Sequence, residues 1–289
     1  MRHRAVIAGC CVALGLMPGC AGARLRRDRA AESPAEASIR RELRQAATAS
    51  MDRGDYVQAR ADLERLVTQS PTSAELYYLL GKALQVLGEV PAAETSYRKA
   101  LAIEPRYVGA LIGLGQVAAR LGRPEEALRR FETAIEFDPH QAEAHFARGQ
   151  VLETLGRADD ALAAYFHSLE LNPAGASAMT RVAALQLDRG KPDQALVRLE
   201  QASELAPDDA EIRYRRGLAY LALKRPEKAT PDLRFAADRL AGRGDVFLAL
   251  AQALDADRKP AEARQAVDKA LALQPDSRIA RDLAERLRR

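Results

Sequence analysis

The chain has no tryptophan, a single asparagine (Asn172), 5% aromatic residues, and three cysteines that all fall within the first twenty positions, Cys10, Cys11 and Cys20. Beyond Cys20 there is no thiol, so the folded body can hold neither a disulfide framework nor a cysteine-ligated zinc. A dominant charge is missing as well. The 44 Lys and Arg against 40 Asp and Glu leave a formal +4 over 289 residues, and +2 once positions 1–19 are set aside. So small a surplus gives no electrostatic reason to expect a nucleic-acid partner. Nothing near the middle reads as a linker, which favours one extended array over two domains. What is abundant is alanine, leucine, arginine and glutamate, all strong helix formers. Lysine occurs only seven times, and the arginine excess reads as a compositional preference rather than an arginine-specific site.

Met1-Arg2-His3-Arg4 is followed by a mostly apolar run from Ala5 to Met17 and then by Met17-Pro18-Gly19-Cys20-Ala21. This is the layout of an export signal. The run is too short for a permanent span, which needs about 20 apolar residues. The small residue followed by cysteine resembles the bacterial lipobox, and the resemblance implies cleavage before Cys20 and lipidation of its sulfur. Residues 1–19 are then a signal peptide, and 20–38, with Arg24, Arg26, Arg27, Arg29 and Pro34, a flexible tether carrying the lipidated cysteine. The implied location is the periplasmic side of the cell envelope, on the outer membrane in preference to the inner; a cytoplasmic protein is the alternative.

Prolines recur at Pro71, Pro105, Pro139, Pro173, Pro207 and Pro275, at intervals of 34 residues or a multiple. In the same phase run a small-residue column (Ala47, Gly81, Gly115, Gly149, Ala183, Gly217, Ala251), an unbroken alanine column (Ala59, Ala93, Ala127, Ala161, Ala195, Ala229, Ala263), and a larger apolar column (Leu63, Tyr97, Phe131, Tyr165, Leu199, Leu233, Val267). Apolar residues at i, i+3, i+4 and i+7 give each half-unit one buried helical face. Gly54, Gly88, Gly122, Gly156 and Gly190 suit a left-handed helix C-terminus, and Pro91, Pro124, Pro192, Pro226 and Pro260 suit a helix start. These columns resemble the tetratricopeptide repeat, most fully in the second unit with Tyr77, Leu80, Gly81, Leu84, Ala93, Tyr97, Ala100 and Pro105. The resemblance implies an all-α, right-handed solenoid of seven helix-turn-helix repeats over 39–276, at about 40–73, 74–107, 108–141, 142–175, 176–209, 210–243 and 244–277. A capping helix follows over 277–289, with Ile279, Leu283 and Leu287 as its expected apolar stripe. Pro231, inside the second helix of the sixth unit, predicts a local bend between repeats six and seven, the alternative being degeneracy of that unit without function.

Nothing suggests catalysis, a cofactor or a metal. Gly113-Leu-Gly115-Gln-Val-Ala118 matches a dinucleotide fingerprint as text but lies within a repeat helix. His140, Glu143 and His145 do not have metalloprotease spacing. The resemblance implies instead that the first helices line a groove for other proteins or peptides. The columns flanking the small residue place Tyr78, Lys82, Ile112, Gln116, Phe146, Gln150, Tyr214, Leu248 and Gln252 there, as an apolar and aromatic stripe interrupted by amides. The alternative is that some of these pack between neighbouring helices. With one asparagine in the chain, the family's asparagine-based clamps for carboxylates and for peptide backbones do not carry over. The expected role is a non-catalytic scaffold in envelope assembly or secretion. The alternatives are a glycan- or cell-wall-binding accessory subunit, or a cytoplasmic scaffold. Oligomeric state is not encoded legibly.

Overall fold

The computed structural model describes residues 34–288, so the expected signal segment and Cys20 lie outside the described residues. Among the described residues fifteen helices follow one another. In chain order they are α1 (Pro34–Asp52), α2 (Tyr56–Gln69), α3 (Ala74–Val86), α4 (Val90–Ile103), α5 (Val108–Arg120), α6 (Pro124–Phe137), α7 (Ala142–Thr154) and α8 (Ala158–Leu171). The series continues with α9 (Ala176–Asp188), α10 (Pro192–Leu205), α11 (Ala210–Ala222), α12 (Pro226–Arg239), α13 (Gly244–Ala256), α14 (Pro260–Leu273) and α15 (Arg278–Arg288). No strand occurs among the described residues. The chain divides after Glu42 into two units. In the first, the described residues 34–42 open α1, where the Ser38 hydroxyl donates to Glu42. The helix therefore begins inside the stretch expected to be a tether; proline is compatible with a first turn because its missing N–H would have no intrahelical partner there.

The second unit, 43–289, is a solenoid of paired antiparallel helices closed by α15. Its core is set by the columns read from the sequence. The seven alanines of the alanine column are fully buried, and none of the seven larger residues one turn later on the same helices is more than 1% exposed. The small-residue column is what makes this possible. A β-carbon on Gly81 would stand 2.6 Å from the Tyr97 ring, one on Gly115 2.5 Å from Phe131, and one on Gly149 2.6 Å from Tyr165. Those distances are inside van der Waals contact, so glycine is needed wherever an aromatic ring fills the joint.

Each first helix ends in the same turn. The Gly88 N–H donates to Gln85 and the Glu89 N–H to Leu84, which satisfies two carbonyls of the last turn of α3 with Gly88 at φ +79°. Lys224 and Arg258 adopt the same left-handed conformation, at φ 57° and 59°, in the two repeats that lack the glycine.

Helix α12 runs unbroken through Pro231, from Pro226 to Arg239. Ala229 and Leu233 lock the helix into the core, while Pro231 and Glu227, whose carbonyl loses its N–H partner, are exposed. The buried stripe of α15 is Ala280, Leu283, Ala284 and Leu287, and Ile279 is 61% exposed. Steps of four residues drift by about 40° per step around a helix, so a 279, 283, 287 series leaves the buried face at its first member.

Candidate protein-binding face

The first helices form the inner row of the solenoid. Besides meeting its own partner, α3 touches α5, α5 touches α7, α9 touches α11, α11 touches α13 and α13 touches α15, and no two second helices meet to that extent among the described residues. The more closely spaced row lies on the inside of the curve. Residues of the first helices that point away from their paired second helices therefore face a common surface.

Of the side chains expected there, Lys82, Gln150 and Gln252 are exposed, and Tyr78, Gln116, Phe146 and Leu248 are half-buried. Ile112 and Tyr214 are buried, at 5% and 8% exposure, and offer little surface to a partner. Ile112 belongs to the core around Phe131. Tyr214 is held by its hydroxyl, which donates to Asp245 at 3.1 Å, and by the Arg243 guanidinium stacked 4.7 Å from its ring centre. Burial and the Asp245 charge together push the Tyr214 hydroxyl up to about 12.

Aromatic rings concentrate at two points. Tyr78 packs at 5.2 Å on Tyr107 and at 6.2 Å on the buried Tyr97, with the Lys82 ammonium 5.8 Å from its ring. Phe146 lies 5.6 Å from Tyr165. Two glycines of α5 make the first cluster fit: a β-carbon on Gly109 would be 2.9 Å from Tyr78, and one on Gly113 2.4 Å from Tyr97. The pair Gly113 and Gly115, which imitates a dinucleotide motif, thus seats Tyr97 on one side and Phe131 on the other.

The amides are engaged with one another. Tyr97 donates to the Gln85 carbonyl at 2.8 Å, the Gln85 amide donates to Gln116 at 2.9 Å, and the Gln116 amide donates to Glu143 at 2.8 Å. A hydrogen-bonded line therefore crosses α3, α5 and α7. Sequence reasoning missed this line and the acids around it: Glu75, Glu143, Glu153, Glu211, Asp245 and Asp255. They sit three residues before the Tyr78 column or three after the Lys82 column, spacing that returns to the same helical face and could have revealed them. Most are neutralised within the chain. Glu75 pairs with Arg44, Glu153 with Arg181 at 3.3 Å, Glu211 with Arg215 at 2.7 Å, Asp245 with Arg243 at 2.5 Å, and Asp255 with Arg286.

No group of three or more His, Cys, Asp or Glu side chains suited to a metal ion occurs among the described residues. His145 is buried, its Nε2 3.0 Å from the Pro139 carbonyl oxygen and its ring 5.7 Å from that of His167. His167 is exposed and meets Glu170. No described helix is long and apolar enough to cross a membrane.

Family models described as tetratricopeptide repeat match residues 42–73, 72–140 and 112–176, and one described as TPR repeat matches 185–224. A probable biofilm formation methyltransferase, WspC, of Pseudomonas putida is 39% identical over 66 residues, which cover 23% of this chain and 16% of that protein. The chain thus spans about a sixth of the curated relatives it first matches. Among solved structures, Pseudomonas aeruginosa pilF superposes with a TM-score of 0.68 at 18% identity, over 74% of this chain and 97% of that one. YrrB, described as a TPR protein with an unusual peptide-binding site, gives 0.55 at 20% identity, over 65% and 97%. With four matches that together run through most of the helix pairs and a fold built on the same columns, the chain belongs to the tetratricopeptide-repeat family.

Proposed function

We propose that this protein is a non-catalytic scaffold that holds other proteins against the inner row of first helices, and that it works in the cell envelope, anchored through lipid on Cys20. The observation that carries the binding role is the inner face itself. Lys82, Gln150 and Gln252 are exposed on it beside the half-buried Tyr78, Phe146 and Leu248. The rings beneath are locked into the core, so the face is rigid before any partner arrives. Preorganisation of this kind lowers the entropy cost of binding. YrrB, a repeat protein with a peptide-binding site, is in keeping with this reading. The envelope location rests on residues 1–20, where a charged start, an apolar run and Gly19-Cys20 follow in order.

A photo-crosslinking side chain at Gln150, on the inner face, is expected to capture protein partners in cells. The same group at Val197, exposed on the outer helix α10, is expected not to. Equal capture from both positions, or capture of polysaccharide in place of protein, would overturn the reading. For the anchor, Cys20→Ser is expected to release the protein from the membrane fraction and to abolish a lipid-shifted mass. An unchanged, unprocessed and soluble protein in both forms would place it in the cytoplasm.

A further inference from the structure

Two register positions meet within four of the helix pairs: the residue one turn before the packing-glycine column on the first helix, and one near the end of the second. In the second, sixth and seventh repeats a cation and a ring fill them. The Lys99 ammonium lies 5.3 Å from the Tyr77 ring centre, the Arg213 guanidinium 4.6 Å from that of Phe235, and the Lys269 ammonium 5.4 Å from that of Phe247. In the fourth repeat both places hold histidine, His145 on α7 and His167 on α8, with ring centres 5.7 Å apart. The sequence sets His145 beside His140 and Glu143; the register brings it to His167 instead.

Each imidazole has one nitrogen committed and one left over. The His145 Nε2 stands 3.0 Å from the Pro139 carbonyl oxygen, which can only accept, so the neutral ring carries its proton there and Nδ1 keeps a lone pair. That Nδ1 is buried without a hydrogen-bond partner, in a side chain 8% exposed. A buried polar atom left in this state needs an explanation, and an absent ion is one. On the exposed His167, Nδ1 stands 3.1 Å from the Glu170 carboxylate, which leaves Nε2 as the free nitrogen. A carbonyl or carboxylate on the far nitrogen is what fixes the tautomer and orientation of an imidazole that ligates a metal.

We infer that His145 Nδ1 and His167 Nε2 bind a divalent transition-metal ion of the class that favours imidazole, zinc among them, with water completing its coordination. Metal–nitrogen bonds of about 2.0–2.1 Å put the centres of two imidazoles on one tetrahedral ion roughly 5 Å apart, so a small rotation of the exposed His167 closes the site. No third His, Cys, Asp or Glu joins the two in a larger ligand group among the described residues, which makes the site open and its ion exchangeable. A bound ion ties α7 to α8 through one side chain from each. The inference stands apart from the scaffold reading and uses none of the inner-face side chains.

The test adds zinc chloride to the full chain, with magnesium chloride as the control, and follows the imidazole signals of His140, His145 and His167 by nuclear magnetic resonance. Zinc is expected to shift His145 and His167 at concentrations that leave His140 unmoved, and magnesium to shift none of them. His167→Lys places in the fourth repeat the residue found at this point in the second and seventh, so the joint keeps a cation beside a ring and the fold is retained. Zinc should then no longer shift His145. Glu170→Gln should weaken zinc binding about tenfold, the lower end of the loss that an outer carboxylate gives. Thermal unfolding supplies a second reading, because an ion held by the folded state should raise the midpoint of the native chain more than that of His167→Lys. Unmoved His145 signals, equal responses of the native chain and His167→Lys, or a response confined to His140 would each overturn the inference.

Discussion

The inner faces of repeats two and three and of repeats six and seven share one backbone plan and end in opposite states. Positions 75, 78, 107, 109 and 113 recur at 211, 214, 243, 245 and 249. In the later pair of repeats Arg243 ties Tyr214 to Glu211 and Asp245, and the tyrosine is left buried. In the earlier pair Gly109 and Gly113 replace side chains, Tyr78 and Tyr97 settle onto α5, and Tyr78 remains half-buried and available. A repeat architecture fixes where side chains point, but a few substitutions within one register decide whether a stretch of groove satisfies itself or stays open to a partner.

The largest effect that would sharpen this contrast is at Gly113. A β-carbon there stands 2.4 Å from a Tyr97 ring that is 1% exposed, faces Gly81 and donates to Gln85, so the ring has nowhere to retreat. Gly113→Ala is expected to lower unfolding free energy by about 2 kcal/mol despite alanine's better helix propensity. Denaturant titration checks this, and native stability in the variant would show that the tyrosine packing is not what shapes the early repeats.

A smaller effect is expected at the closed end. Hydrogen bonding from Arg243 lowers the Asp245 carboxyl below its ordinary 3.8, a contribution to stability that is present above that value and lost as pH falls through the lowered one. Tyr214 runs the other way. Its hydroxyl is raised to about 12, so its contribution is complete below the ordinary value of 10.0 and disappears as pH rises toward 12. Asp245→Asn should bring the Tyr214 ionisation down toward the ordinary value, read by ultraviolet absorbance on alkaline titration, with a stability loss of about 1 kcal/mol because the site is partly solvated. An unmoved Tyr214 titration would mean that the ring is held by packing alone.

The smallest effect concerns the turns. Five repeats carry glycine at the left-handed position and two carry Lys224 and Arg258. Lys224→Gly is expected to raise stability by about 0.5–1 kcal/mol by removing side-chain strain at positive φ. A neutral or destabilising result would indicate that the lysine makes a compensating contact.

Much of this was legible beforehand. The buried alanine column, the paired small and large columns, and the proline starts of α6, α10, α12 and α14 follow from a 34-residue period and helical geometry. The left-handed turns at Lys224 and Arg258 were not legible, because neither residue advertises that conformation; the register alone placed them. At Pro231 the proline's local cost and the core columns that hold Ala229 and Leu233 were both visible in the sequence, while the unbroken course of the helix through it came from the structure.

The candidate face divides along the same line. Composition and period by themselves determined that the chain is an array of helix pairs, which residues fill its joints, and which columns flank the packing glycine, because those follow from spacing along one helix. Only the tertiary structure decided that Ile112 and Tyr214 are buried while Gln150 is exposed, and that Gln116 is engaged on both sides by Gln85 and Glu143. The physical reason is that each of these outcomes depends on a side chain from a neighbouring repeat, about 30 residues away in sequence and in contact only once the helices stack.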